Sequence, residues 1–195
     1  LPAPHALQRY AAFLRAINVG GHTVKMDRLR GLFEALGLAG VETFIASGNV
    51  VFDAPEEEPS ALQRRIEEHL RASLGYEVAT FLRSMDELAA AAAHRPFPAS
   101  ASEAEGAALT VAFLHEELDE EERRKIEGFR TGTDDFHVHG REVYWLRRPP
   151  ASASAFSGAV LERGLGRPAT LRNVTTVRKM AAKFATAHRP SGEPR

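Results

Sequence analysis

The order in which short β-rich runs alternate with segments of helical period limits what this 195-residue chain can fold into more than any other feature. Residues 10–18 form a mostly apolar run and read as a buried strand. Asn18-Val19-Gly20-Gly21-His22 follows as a turn. Leu29, Leu32, Phe33 and Leu36 then recur at i, i+3, i+4 and i+7 before Gly37, which predicts a helix with a glycine stop. Residues 41–46 and 50–53 flank Ser47-Gly48-Asn49 as the arms of a hairpin. Ser60 and Gln63 have capping-box spacing ahead of a helix carrying Leu62, Ile66, Leu70 and Leu74. Residues 78–83 read as a strand, and Ser84 with Glu87 opens an alanine-rich helix reaching His94.

The rest of the chain repeats that order. Residues 95–106, rich in Pro, Ala, Ser and Glu, form the natural linker. A strand is expected over 109–114, an acid-capped helix over 119–129, and a hairpin of 135–139 and 141–147 around Gly140. A helix over 153–165, a short strand over 169–172 and a closing helix over 175–187 complete the set, the last with Val177, Met180, Ala181 and Phe184 on one stripe. The fold class is therefore α+β: two consecutive ferredoxin-like (βαββαβ) repeats, each with an extra C-terminal helix. The repeats are assigned to residues 8–94 and 107–188, with 95–106 as linker and 189–195 as a disordered tail.

Composition removes several function classes. With no cysteine there is no disulfide scaffold, thiolate metal centre or cysteine nucleophile. No apolar run approaches the roughly 18–20 residues that span a bilayer. The first ten residues hold two prolines and no basic n-region, so a cytoplasmic, soluble protein is expected, without a membrane partner. The formal net charge is −1, but residues 116–127 carry seven acids against three bases, and 163–195 eight bases against one acid. A basic C-terminal region attracts phosphates, while a near-neutral whole lacks the signature of a dedicated nucleic-acid binder.

Two segments carry donor groups. In the first, Arg15 interrupts an apolar strand on the face of Phe13 and Ile17, and the strand runs into Asn18, Gly20, Gly21 and then Lys25. A glycine-bearing loop leading into a helix presents backbone N–H groups to an anion, with the helix dipole behind them. The spacing matches neither the Walker loop nor the dinucleotide fingerprint. In the second, Asn173, Thr175 and Thr176 are N-cap residue types, and Arg172, Arg178 and Lys179 gather positive charge where a helix dipole favours an anion. His137 and His139 share a strand face, but no third ligand stands at recognisable spacing, so neither a metal site nor a cofactor is expected. There is no nucleophile elbow or zincin motif, and Ser47 and Ser157 have no evident base. Phe13 and Phe52 lack the pattern of an RNA-recognition motif and are assigned to the core.

Residues 14–21 followed by Met26, Leu29 and Leu32, then 43–52 and 170–180, resemble the family designated domain of unknown function 1697. The resemblance runs from about Tyr10 to Phe184. It implies an α+β fold with ferredoxin-like repeats and implies no activity. The chain departs from the family pattern at four positions: Ala16 stands for a glycine, Ala46 for an asparagine, Ala155 for a lysine, and Val174 for an aromatic residue, commonly tryptophan.

The leading expectation is a protein that binds a phosphate-bearing small molecule, such as a nucleotide, or a nucleic acid. Its donors are Arg15, Asn18, Gly20, Gly21, Lys25, Asn49, Arg172, Asn173 and Arg178, converging on a cleft between the repeats. An enzyme acting on a small phosphorylated metabolite is the alternative, with His22 beside the glycine loop. A protein–protein module using sheet edges or the acidic helix is the third.

Overall fold

The computed structural model describes residues 7–18, 20–45 and 48–185. These group into two compact units, one holding the described residues up to Ala90 and from Arg178 onward, the other running from Ala91 to Val177.

The first unit is built from β1 (Leu7–Leu14), α1 (Met26–Glu34), β2 (Ala39–Thr43), β3 (Asn49–Pro55), α2 (Pro59–Leu74) and β4 (Thr80–Ser84). Its sheet is antiparallel throughout, in the order β2-β3-β1-β4. Strand alternation puts Tyr10, Ala12 and Leu14 of β1 on one face with Val50, Phe52 and Ala54 of β3. The apolar stripes of α1 (Leu29, Phe33) and α2 (Leu62, Ile66, Leu70) close over that face. Phe52 lies at the centre of it, 6.1 Å from the Tyr10 ring and 5.4 Å from Phe33. Burying each such side chain contributes about 1.5–3 kcal/mol. α3 (Met85–Ala93) follows β4 and leads the chain out of this unit.

After the short helix α4 (Ala99–Ser102), the second unit sets β5 (Ala108–Phe113), α5 (Glu120–Glu127), β6 (Asp134–His139), β7 (Glu142–Arg147), α6 (Gly158–Leu165) and β8 (Thr170–Asn173). Its sheet has the order β6-β7-β5-β8, again antiparallel. Ala112, Leu114, Phe136 and Val143 meet Ile126 of α5 and Leu161 and Leu165 of α6. α7 (Val174–Met180) and a π-helical turn over Ala181–Ala185 then carry the chain into residues that group with the first unit. Division by element order falls in the linker at 95–106. The compact units instead divide at Ala90 and reclaim residues 178–185, because Phe184 is buried edge-on to Phe44 at 5.8 Å and Lys183 pairs with Glu42 at 3.2 Å. The expected tail 189–195 lies outside the described residues. No helix among the described residues is long and apolar enough to cross a membrane.

Three local expectations need correction. β1 ends at Leu14, not Asn18, because Ala16 adopts φ +58, which no strand accommodates. α2 starts at Pro59 with Glu58 as its cap. The Glu58 carboxylate accepts the Ala61 N–H at 3.0 Å and the Ser60 hydroxyl, so Ser60 serves the cap without being it. The helix expected over 153–165 begins only at Gly158, where Ser157 accepts the Val160 N–H at 3.3 Å. The Ser154 hydroxyl donates to Asp134 and Phe156 packs on Trp145, which holds 154–157 out of the helix. The capping box of Ser84 and Glu87 forms as expected, with reciprocal bonds of 2.8 and 3.2 Å.

Candidate functional site

The loop between β1 and α1 is fastened at several points. The Leu14 N–H donates to the Gly48 carbonyl and the Arg15 N–H to the Ala79 carbonyl, both at 2.8 Å. Ile17 is buried, and its carbonyl accepts the Tyr76 hydroxyl at 2.9 Å. Gly48 has φ +75, and a Cβ there would sit 2.8 Å from Cγ2 of Ile17, so only glycine permits this approach of the β2–β3 turn. The Asn18 carboxamide oxygen accepts the Val24 N–H at 2.7 Å and closes the loop on itself. The His22 ring stacks on Tyr76 with 4.0 Å between centroids.

What this fastening leaves at the surface is Gly20 and Gly21, both exposed with φ of +64 and +83, followed by exposed Lys25. Lys25 is the N-cap residue of α1, and no side chain caps that helix. Asp27 in its first turn is engaged by Arg30. Arg15 is half-buried just beyond β1, in a bend instead of the strand interior expected for it. Asn49 is fully buried, and its amide donates to the Phe44 carbonyl at 2.9 Å, a bond that holds the β2–β3 turn. Ala46, Ser47 and Val19 lie outside the described residues.

The second donor segment is absorbed more completely into its unit. Arg172 is buried, and its Nη1 donates to the Thr170 hydroxyl and the Leu171 carbonyl, each at 2.8 Å. Burial pushes its pKa down to about 10. The Asn173 side chain accepts the Thr175 N–H at 2.8 Å and caps the start of α7, as its residue type suggested. Arg178, half-buried, belongs to the residues that return to the first unit, and its Nε is shielded without a hydrogen-bond partner. Asn18, Asn49 and Asn173 thus each bond a backbone group, while Gly20, Gly21 and Lys25 are exposed.

Within the second unit, His137 and His139 lie on the sheet face away from α5 and α6, in register with Tyr144 and Glu142 of β7. His94, just past α3, joins them. Each of the three offers a ring nitrogen, and these atoms all lie within 4.8 Å of one another. The His94 ring stacks on His139 at 4.2 Å and 14°, lies 5.1 Å from His137, and rests 5.0 Å from Tyr144. The Tyr144 hydroxyl donates to the Ala91 carbonyl at 3.0 Å and pins the segment that carries His94. Burial lowers the pKa of His94, helped by the neighbouring His139, His137 and Arg95. Burial also lowers that of His137, with His139 and Arg130 adding to it. The sequence signal for this grouping was the H-x-H pair alone, since no local spacing connects His94 to residues more than forty positions later.

The family described as "Protein of unknown function (DUF1697)" has a model that matches residues 7–144, so the match includes the β1–α1 loop and the three histidines and stops within β7. Among solved structures, the chain is similar to the conserved bacterial protein SP0830 from Streptococcus pneumoniae, with a TM-score of 0.73 and 26% identity over 91% of this chain and 98% of that one. No curated protein matches.

Proposed function

From the premise that this chain belongs to the DUF1697 family of proteins of unknown function, we propose that it binds a phosphate-bearing ligand, a nucleotide or a segment of nucleic acid, through the β1–α1 loop. The observation that carries the reading is the exposed Gly20-Gly21 turn running into Lys25 at the uncapped start of α1, on a loop fixed by the Asn18–Val24 bond. Glycines let the backbone approach a phosphate closely, and the amide ends of the helix supply positive potential. Lys25 adds a mobile cation, and Arg15 stands at the loop's other end. Charge-assisted contacts contribute about 1.5–3 kcal/mol each, so two or three support roughly micromolar affinity. A fixed loop binds without first having to be ordered.

The same reading extends to the architecture, which we infer to be two ferredoxin-like repeats. What supports it is the equivalent strand order in both sheets, and a last strand that pairs with the first in each. Arg83 and Arg172 occupy those last strands opposite Ala11 and Val111, and each donates an Nη1 hydrogen bond of 2.8 Å to the carbonyl of its preceding residue. A capping side chain, Ser84 or Asn173, follows each arginine.

Thermal melts at low salt test the binding reading. A ligand at a hundred times its Kd stabilises by about 2.7 kcal/mol, which for a chain of this size raises Tm by about 5–10 °C. Millimolar pyrophosphate or nucleoside triphosphate should produce that rise, and Lys25→Ala or Arg15→Ala should remove most of it without lowering the unliganded Tm by a similar amount. A short oligonucleotide in the same series distinguishes nucleotide from nucleic acid. If every phosphate compound leaves the wild-type curve unchanged, the reading is wrong.

A further inference from the structure

We propose that His94, His137 and His139 form a binding site for one late first-row divalent transition metal ion, with zinc(II) as the type occupant. The proposal is independent of the phosphate reading, since all three residues belong to the second unit. Three side chains from two elements converge here, although only two of them are neighbours in sequence. A chance surface pair of histidines needs no such convergence, and the Tyr144–Ala91 bond holds the incoming segment in place for it.

The chemistry of the donor set selects the ion. Three imidazoles without thiolate or carboxylate suit zinc, copper, nickel or cobalt and exclude the oxygen-seeking calcium and magnesium. Nε2 of His94 is buried with no hydrogen-bond partner, and a metal bond would satisfy such an atom. Metal–nitrogen bonds of about 2.0–2.1 Å place tetrahedral ligand atoms about 3.3 Å apart. Nitrogens now within 4.8 Å must therefore draw inward, and the His94–His139 pair must turn from face-to-face stacking to edge-on convergence. His139 is exposed and free of core packing, so a side-chain rotation on its part supplies most of that movement. Arg95 and Arg130 act electrostatically on His94 and His137, and their positive charge weakens binding relative to a site backed by carboxylates. Three protein ligands leave a fourth position for water or an exchangeable group, as in zinc centres with an open site.

The experiment titrates chelator-treated full-length chain with Co(II) and Zn(II), following calorimetry and the visible absorption of four-coordinate cobalt. The expected result is one ion per chain in the micromolar range, with the cobalt band displaced by zinc. His139→Ala and His94→Gln each weaken binding at least about tenfold and abolish the band, whereas His22→Ala and His115→Ala leave both unchanged. Because His139 is exposed, its variant folds and carries the test even if His94→Gln disturbs packing. Absence of binding at 100-fold excess metal overturns the proposal. So does wild-type affinity in His139→Ala, which would assign the ion to other histidines.

Discussion

Ala16 holds a backbone conformation that its side chain opposes. At φ +58 an L-residue with a Cβ is strained by roughly 1–2 kcal/mol, and glycine is not. Glycine would hold the same turn without that strain. Ala16→Gly releases the strain but gives back about 0.4–1 kcal/mol through the freer unfolded chain. The net expectation is a gain of roughly 0.5–1 kcal/mol, read as a Tm increase of about 1–4 °C, and a lower Tm would refute it. The same residue explains why the end of β1 was not legible. The apolar run continues to Ile17, and a left-handed alanine carries no signature in sequence, so by pattern alone Arg15 reads as part of a strand that ends at Leu14. Asn49 was hidden for another reason: its exposed-looking type gives no hint that its amide is consumed by the backbone carbonyl of Phe44, five residues back.

Elements were legible where their signals are local. Asp119 and Glu122 form the reciprocal box their spacing announces, and Gly140 at φ +56 turns the β6–β7 hairpin. They were not legible where a distant group competes for the local one, and Asp134 is the clearest such group. Its buried carboxylate accepts the Trp145 indole N–H at 2.8 Å, the Ser154 hydroxyl at 2.7 Å, and the hydroxyls of Thr131 and Thr133 at 2.9 and 3.1 Å. It thereby ties β6 to β7 and to the segment ahead of α6. Burial by itself would raise this pKa, but the four donors outweigh it and hold the carboxyl below its ordinary 3.8. In acid the unfolded chain therefore takes up the proton first. The stabilisation is fully present above pH about 5 and is lost as pH falls below 3.8 toward the folded-state value. Urea unfolding should show Asp134→Asn less stable than wild type at pH 7, with the gap narrowing below pH 4. A gap independent of pH would assign the effect to packing.

At the scale of the whole molecule, element order predicted two sheets and their hairpins, because hydrophobic period and turn residues are read within each segment. The assignment of residues 178–185 was beyond it, since nothing in that stripe says which sheet it meets. Phe184 answers by burying its ring against Phe44, with Arg9 5.8 Å and Lys183 4.7 Å from its centroid. Phe184→Ala is expected to cost about 3 kcal/mol. Hydrogen exchange should report the loss in β2 and β3, some 140 residues away in sequence, where Lys183 also reaches Glu42. Unchanged protection in those strands would show the contact to be dispensable.

That long return has a consequence for how the protein is made. Ribosomes add about 5–20 residues per second, and domains commonly fold as they emerge. The first unit, though synthesised first, lacks Phe184 until 94 further residues have followed Ala90, a wait of roughly 5–20 s. The second unit runs without interruption from Ala91 to Val177. During that interval Phe44, just past β2, lacks the ring that packs against it. Slower translation of the second unit's codons therefore prolongs the exposure of the first.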